Sequence, residues 1–302
     1  MKTLITGATG LIGRRLVAAL EQPVVLSRDP ARAEAALGVR AFAWSPPAPP
    51  PPEAFEGIEV VLHLAGEPVG AGRWTAKRRR RIRDSRVLGT RALVHALAQL
   101  AHRPRALISA SAIGIYGDRG DEVLTEASAP GEGFLAEVCR AWEAEAVAAE
   151  AHGVRVVTMR TGIVLAPEGG ALASMLPVFR LGLGGRIGSG RQRMSWIAVE
   201  DVVGLYLQAA REEQLAGALN VVAPNPVTNA EFTRTLASVL GRPALLPVPR
   251  FALRLALGQM SELLTASQRV LPERALATGY VFRHPELRPA LEACLQPETA
   301  GE

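Results

Sequence analysis

The first thirteen residues constrain the fold more than any other segment. A short apolar run, Thr3-Leu4-Ile5, leads into Thr6-Gly7-Ala8-Thr9-Gly10-Leu11-Ile12-Gly13, and an alanine- and leucine-bearing helical stretch follows. Each glycine has its own task. Gly7 permits a tight turn, Gly10 lets backbone approach a pyrophosphate, and Gly13 lets the helix pack closely on the strand. The helix start then offers free N–H groups and the positive end of its dipole to phosphate oxygens. A glycine triplet alone is weak evidence, but strand, turn and helix together give the context expected of a dinucleotide site. Thr9, Leu11 and Ile12 lie in the same turn and are expected to line it.

Strand–helix alternation continues to about residue 165. Lys2–Ile5, Val24–Leu26, Val39–Trp44, Val60–Leu64, Ala106–Ser109 and Val154–Met159 read as strands, with helical stretches between most of them. That pattern predicts an α/β fold, a Rossmann-type doubly wound parallel sheet with helices on both faces. The connection Ser45–Pro52 (SPPAPPPP) cannot be helical, because proline removes donors and clashes with the preceding turn. It reads as an exposed polyproline-type linker, with a docking segment for a partner as the alternative. Beyond Ala166 glycines crowd a short span, Trp196–Val199 returns to strand character, and Asp201 is expected to cap a helix reaching Arg211. The last eighty or so residues are mainly helical with proline punctuation. The expected division is therefore a Rossmann domain from 1–165 and 197–222, and a smaller, mainly helical lobe from 166–196 and 223–295. The tail Gln296–Glu302 reads as disordered.

Composition narrows the function. With 302 residues, 48% hydrophobic and 21% charged, the chain suits one main domain and a smaller lobe. No apolar run reaches the roughly 18 residues of a membrane span, and no membrane partner is expected. Cys139 and Cys294 are far apart and in no metal spacing, so a reducing, cytoplasmic setting without disulfides or metal is expected. The net charge of +5 suits an anionic ligand of either kind, cofactor or nucleic acid. The run Lys77-Arg78-Arg79-Arg80-Arg81 with Arg83 resembles a nucleic-acid patch, but on a helix it spreads around more than half the circumference and lacks interleaved aromatics. A solvated helix face is the reading favoured, without nucleic acid.

Cofactor type is read at the second strand. It ends Leu26-Ser27-Arg28, without the carboxylate that would accept from a ribose 2′-hydroxyl. Arg28 can instead fork onto a 2′-phosphate, so NADP(H) is expected with Ser27 and Arg28 at its adenosine end. Asp29 arrives one residue late and starts the next turn. Leu64-Ala65-Gly66 follows the fourth strand, and small residues there let a cofactor cross the sheet edge. His63 alternates inward as a satisfied core histidine.

These motifs resemble the extended short-chain dehydrogenase/reductase superfamily. Leu64–Glu67, Arg73-Trp74, Ser85-Arg86, Trp142-Glu143, Arg160–Leu165, Phe179–Gly185 and Ser195–Ile197 narrow the resemblance to an atypical "epimerase family" branch with a C-terminal domain of unknown function, matched here by Val248–Leu291. The resemblance implies that Val164 lies beside the cofactor. It departs at Ala198, where a histidine usually follows Trp-Ile.

Ordinary superfamily members relay a proton through a tyrosine and a lysine four residues later. Here Phe134 and Val138 stand at those positions, and no lysine exists beyond Lys77. Other groups must carry any chemistry. Ser111 ends the fifth strand, although the superfamily's hydroxyl position, measured back from Tyr116, falls on Ala112. Tyr116 either fills core or reaches the substrate, and without a cation beside it would be a weak acid. On the helix expected over Thr75–Leu100, Arg86 shares an apolar face with Ile82, Gly89 and Leu93, so it points inward. It meets either an anion of cofactor or substrate, or a carboxylate such as Glu67. The expectation is a small anionic substrate facing Arg86, Ser111, Glu67 and Tyr116, on a monomer or homodimer. An oxidoreductase or epimerase-like enzyme is the first reading, a non-catalytic NADP(H)-responsive protein the second.

Overall fold

The structure is a computed structural model and describes residues 1–295; the tail 296–302 lies outside the described residues. Along the chain the first half runs β1 (Thr3–Thr6), α1 (Leu11–Ala18), β2 (Val24–Ser27), α2 (Pro30–Leu37), β3 (Ala41–Ala43), β4 (Val60–His63), α3 (Ala76–Gln99), β5 (Ala106–Ala112), β6 (Val123–Leu124) and α4 (Phe134–Val147). The second half runs β7 (Arg155–Thr161), β8 (Ile163–Leu165), α5 (Gly170–Arg180), β9 (Arg193–Met194), β10 (Trp196–Ala198), α6 (Val199–Arg211), β11 (Gly217–Val221), β12 (Val227–Thr228) and α7 (Asn229–Val239). It closes with α8 (Arg250–Leu257), α9 (Glu262–Thr265), β13 (Arg269–Val270), α10 (Glu273–Ala277) and α11 (Leu287–Leu295).

Seven strands pair in parallel in the order β3-β2-β1-β4-β5-β7-β11. The chain reverses its direction of travel between β1 and β4, so their carboxyl ends splay helices apart and leave a crevice. Each face carries its own core. Leu16 and Val17 of α1 and Leu205 and Tyr206 of α6 pack on one side, with Ile5, Leu62 and Ile108. Leu93, Val94 and Leu97 of α3 pack on the other, with Leu4, Val61 and Leu107. Alternate residues of one strand thus serve opposite layers, as the pleat requires. A third core joins Leu172, Leu176 and Phe179 of α5 to Phe232 and Leu236 of α7 and Leu291 of α11. It includes Leu165 and Ala223, just past the carboxyl ends of β7 and β11.

Two local expectations change. The strand expected over Val39–Trp44 shortens to three residues, because the chain must turn into the proline segment; Trp44 then donates its indole N–H to the Ala48 carbonyl at 2.8 Å. Asp201 does not cap α6. The cap position is Ala198, and Asp201 is fully buried within the first turn. Its carboxylate accepts from the backbone N–H groups of Arg283 (2.8 Å) and His284 (3.0 Å) and from the Tyr280 hydroxyl (3.1 Å). It ties the C-terminal region to the sheet's helical layer rather than finishing a helix. The other capping expectation holds: Thr75 accepts from the Arg78 N–H at 3.2 Å and opens α3.

Candidate functional site

The glycine turn lies at the mouth of the crevice. Gly7 adopts φ +71°, and a Cβ there would meet the Leu64 backbone at 2.8 Å, so both the turn and the approach to β4 require glycine. A Cβ on Gly13 would fall on the Gly7 carbonyl. Gly10 is different. Its backbone is ordinary extended, and a Cβ would touch only the Gly7 carbonyl, at 3.2 Å. Protein packing asks little of that position, so the glycine there keeps open the space a phosphate would take. No side chain caps α1, and the N–H groups of its first turn face the same space. Thr9 is exposed at the rim, and Leu11 and Ile12 are half-buried. These features fit a dinucleotide phosphate.

At the end of β2, Ser27 exchanges hydrogen bonds with the Asp29 backbone (3.0 and 3.1 Å), and the Asp29 carboxylate accepts from the Arg32 N–H at 3.1 Å to cap α2. Asp29 is thereby occupied, while Arg28 is exposed. At the end of β4, the Ala65 N–H donates to the Thr6 hydroxyl at 3.1 Å. His63 is buried between the hydroxyls of Thr6 (2.7 Å) and Thr90 (2.9 Å), and burial holds its pKa down at about 4, so the ring is neutral. It is the satisfied core histidine that alternation suggests.

Arg86 points inward from α3, as its helical face requires. One guanidinium nitrogen donates to the carbonyls of Glu67 (2.9 Å) and Ile82 (3.1 Å). The plane lies against Gly66, where a Cβ would be 3.1 Å from the central carbon, and over the Trp142 ring at 5.1 Å. The Glu67 carboxylate does not neutralise it in a direct pair: Glu67 bonds Arg78 instead. Desolvation lowers the Arg86 pKa. The remaining guanidinium N–H groups, at the carboxyl end of β4, are directed to no protein acceptor among the described residues.

Beyond β5 the polar groups behave differently. Ser111 donates to Glu143 at 2.6 Å; Glu143 takes a two-pronged bond from Arg160 at 2.9 Å on each oxygen; Arg160 also donates to the Tyr116 hydroxyl at 3.0 Å. That hydroxyl donates to Asn220 at 2.7 Å, and Asn220 reaches the Leu271 carbonyl at 2.9 Å. Tyr116 is fully buried, and it has a cationic neighbour, Arg160, whose guanidinium lies 5.3 Å from its ring centre. Burial nonetheless raises its pKa. Asn220 escaped the sequence-based reading, and Glu143 and Arg160 entered it only as motif residues, without partners or a place in the site. The available signal was Arg160 on the same strand face as Val156 and Thr158, in a sheet interior, where a cation demands a carboxylate.

Phe134 and Val138 lie on successive turns of α4, and Val138 is buried. Phe134 takes the Trp74 ring edge-on at 5.1 Å and carries the Arg79 guanidinium over its face at 4.4 Å. The basic run therefore divides: Arg78, paired with Glu67, and Arg79, over Phe134, are half-buried, while Lys77, Arg80, Arg81 and Arg83 are exposed. Val164, half-buried on β8, borders the α1 side.

Comparison with known proteins bears on this geometry. Residues 3–222 match the NAD dependent epimerase/dehydratase family, and residues 248–294 match a domain of unknown function (DUF1731). The chain belongs to that epimerase family. The family member from Arabidopsis thaliana named epimerase family protein SDR39U1 homolog, chloroplastic, is 40% identical, over 98% of this chain and 87% of that protein. Epimerase family protein YfhF of Bacillus subtilis is 38% identical over 96% of this chain and 97% of its own. The crystal structure of human epimerase family protein SDR39U1 (isoform 2) with NADPH superposes with a TM-score of 0.84 and 31% identity, covering 97% of this chain and 99% of that one. These relatives match the atypical short-chain dehydrogenase/reductase branch with its C-terminal domain, and with them a site for a nicotinamide dinucleotide. No helix among the described residues is long and apolar enough to cross a membrane.

Proposed function

We propose that the chain binds NADP(H) in preference to NAD(H) and uses it as an oxidoreductase or epimerase-like enzyme on a small anionic substrate. The observation that carries this is the first βαβ unit: an open Gly10, an uncapped α1 and an unopposed Arg28 after β2. The NADPH in the human relative's structure supports the same choice. In this reading Gly7, Thr9, Gly10, Leu11, Ile12 and Gly13 hold the diphosphate, Ser27 and Arg28 hold the 2′-phosphate, and Leu64, Ala65, Gly66 and Val164 flank the nicotinamide half. Arg86 supplies its free N–H groups to an anion of the cofactor or the substrate beside them. Bound NADPH supplies a hydride. Phe134 and Val138 exclude water from the place where a tyrosine–lysine relay would stand, so the chain moves no proton by that route. Glu67 acts through Arg78, and Ser111 is the hydroxyl at the β5 end.

Titration calorimetry with NADPH and NADH on the wild type and Arg28→Ala tests the cofactor choice. Loss of the fork should weaken NADPH by roughly tenfold to a hundredfold and leave NADH unchanged; equal losses for both would overturn it. A second reading, an NADP(H)-responsive protein without turnover, is favoured by one observation: Ser111 and Tyr116 are already committed to partners. A screen of carbonyl compounds and sugar nucleotides, read by nicotinamide absorbance, separates the two. Tight NADPH binding with no oxidation on any substrate favours the second.

A further inference from the structure

Twelve large apolar side chains are exposed among the described residues, and six of them gather in one part of the smaller lobe: Leu181, Leu183, Leu245, Leu246, Phe251 and Leu255. They share a surface because the 181–188 loop runs beside 243–250. Gly182 faces Pro243, Gly185 abuts the Leu246 carbonyl, Ile187 bridges Val248 in parallel, and Gly188 lies under the Arg250 stem. Helix α8 continues this surface and buries none of its residues. Phe251 and Leu255, one turn apart, are 75% and 77% exposed, and Arg250 and Arg254 stand one turn apart beside them.

The segments that carry this patch hold charge of one sign. Residues 169–199 and 232–261 contain eight arginines and no aspartate or glutamate. Among the described residues Arg180, Arg186, Arg242, Arg250 and Arg254 form no ion pair. An apolar stripe beside unpaired arginines on one amphipathic helix is the composition of a segment that lies in a bilayer interface, apolar side chains among the acyl ends and cations at anionic headgroups. Anionic headgroups offer these arginines acceptors across the whole plane of contact.

We propose that α8 with the loops at 181–183 and 245–246 is a peripheral docking surface for an anionic lipid bilayer. The contact is superficial and reversible, and it requires no spanning helix. It places the membrane next to the crevice, because Arg73 donates to the Leu255 carbonyl at 3.3 Å and Arg79 to Gln259 at 3.1 Å, linking the α8 region to the start of α3.

The test is co-sedimentation of the full chain with vesicles of phosphatidylcholine alone, or with phosphatidylglycerol replacing about a third of the lipid. Binding should be at least about tenfold stronger to the anionic vesicles and should fall with added salt. Phe251→Asp with Leu255→Asp should abolish it, and Arg250→Glu with Arg254→Glu should lower it by about tenfold or more. All four positions are exposed, and unchanged NADPH titration of each variant would show that its fold is kept. Absence of binding to anionic vesicles, or binding that survives both double variants, overturns the proposal. So does a wild-type dimer in sedimentation velocity that Phe251→Asp with Leu255→Asp converts to monomer while vesicle binding is absent, which would assign the patch to a second copy of the chain.

Discussion

Trp142 and Glu143 are neighbours on α4, and each meets an arginine, but the two arginines are held in opposite ways. The Arg160 guanidinium is answered: two bonds to Glu143, one to Tyr116, and a continuation through Asn220 to the C-terminal region. Around Arg86 the hydrogen-bond partners are backbone carbonyls, with a glycine and an indole face packed against it, and the nearest carboxylate is taken by Arg78. A partly buried cation without a countercharge is costly in the empty protein. The first region is built to be stable without a ligand. The second leaves guanidinium N–H groups unanswered, which the anion proposed for this site would satisfy.

That contrast can be broken experimentally. Glu143→Ala leaves Arg160 buried and unpaired, and should cost about 3–5 kcal/mol in urea unfolding. A loss well under this would mean that water or the Glu126 carbonyl replaces the carboxylate, and the distinction between the regions would weaken. His63 offers a third ionisable group, a buried ring satisfied as a neutral group. Its folded pKa of about 4 lies below the ordinary 6.5. The unfolded chain therefore binds the proton first, so this contribution is intact above pH 6.5 and lost as pH falls toward 4, by about 3 kcal/mol. Abolition of that slope in His63→Gln, in chemical unfolding across pH, would confirm the source. Arg86→Met keeps the stem on Trp142 but removes the charge. Stability should change by less than about 1 kcal/mol, while NADPH affinity drops by roughly tenfold or more. A Tm loss like that of Glu143→Ala with unaltered NADPH binding would place Arg86 with the structural ions. The smallest effect is expected of Ser111→Ala: about 1 kcal/mol of stability, since Glu143 keeps both Arg160 bonds.

The difference also explains what could be read in advance. The cradle was legible because turn, strand and helix chemistry all lie within thirteen consecutive residues. The inward face of Arg86 followed from helical spacing alone. Its partners did not, since Gly66 and Trp142 come from distant segments. The Arg160 network joins residues from 111 to 220, and Tyr116 looked unsupported only because its cation is 44 residues away. Asp201 failed for a similar reason: an acid near a helix start reads as a cap, and nothing local reveals donors some eighty residues later.

The Asp201 tie has a consequence for biosynthesis. Its carboxylate is translated 82 residues before Arg283, the nearer of its two backbone donors. At about 5–20 residues per second, that separation is roughly 4–16 seconds on the ribosome. During that interval the sheet's first strands and α1 are already available to assemble, while the start of α6 must keep a hydrated carboxylate out of the core. Closure of this layer is therefore a late event, timed by emergence of the final segment, and a nascent chain halted before residue 284 would expose the α6 surface to chaperones and proteases.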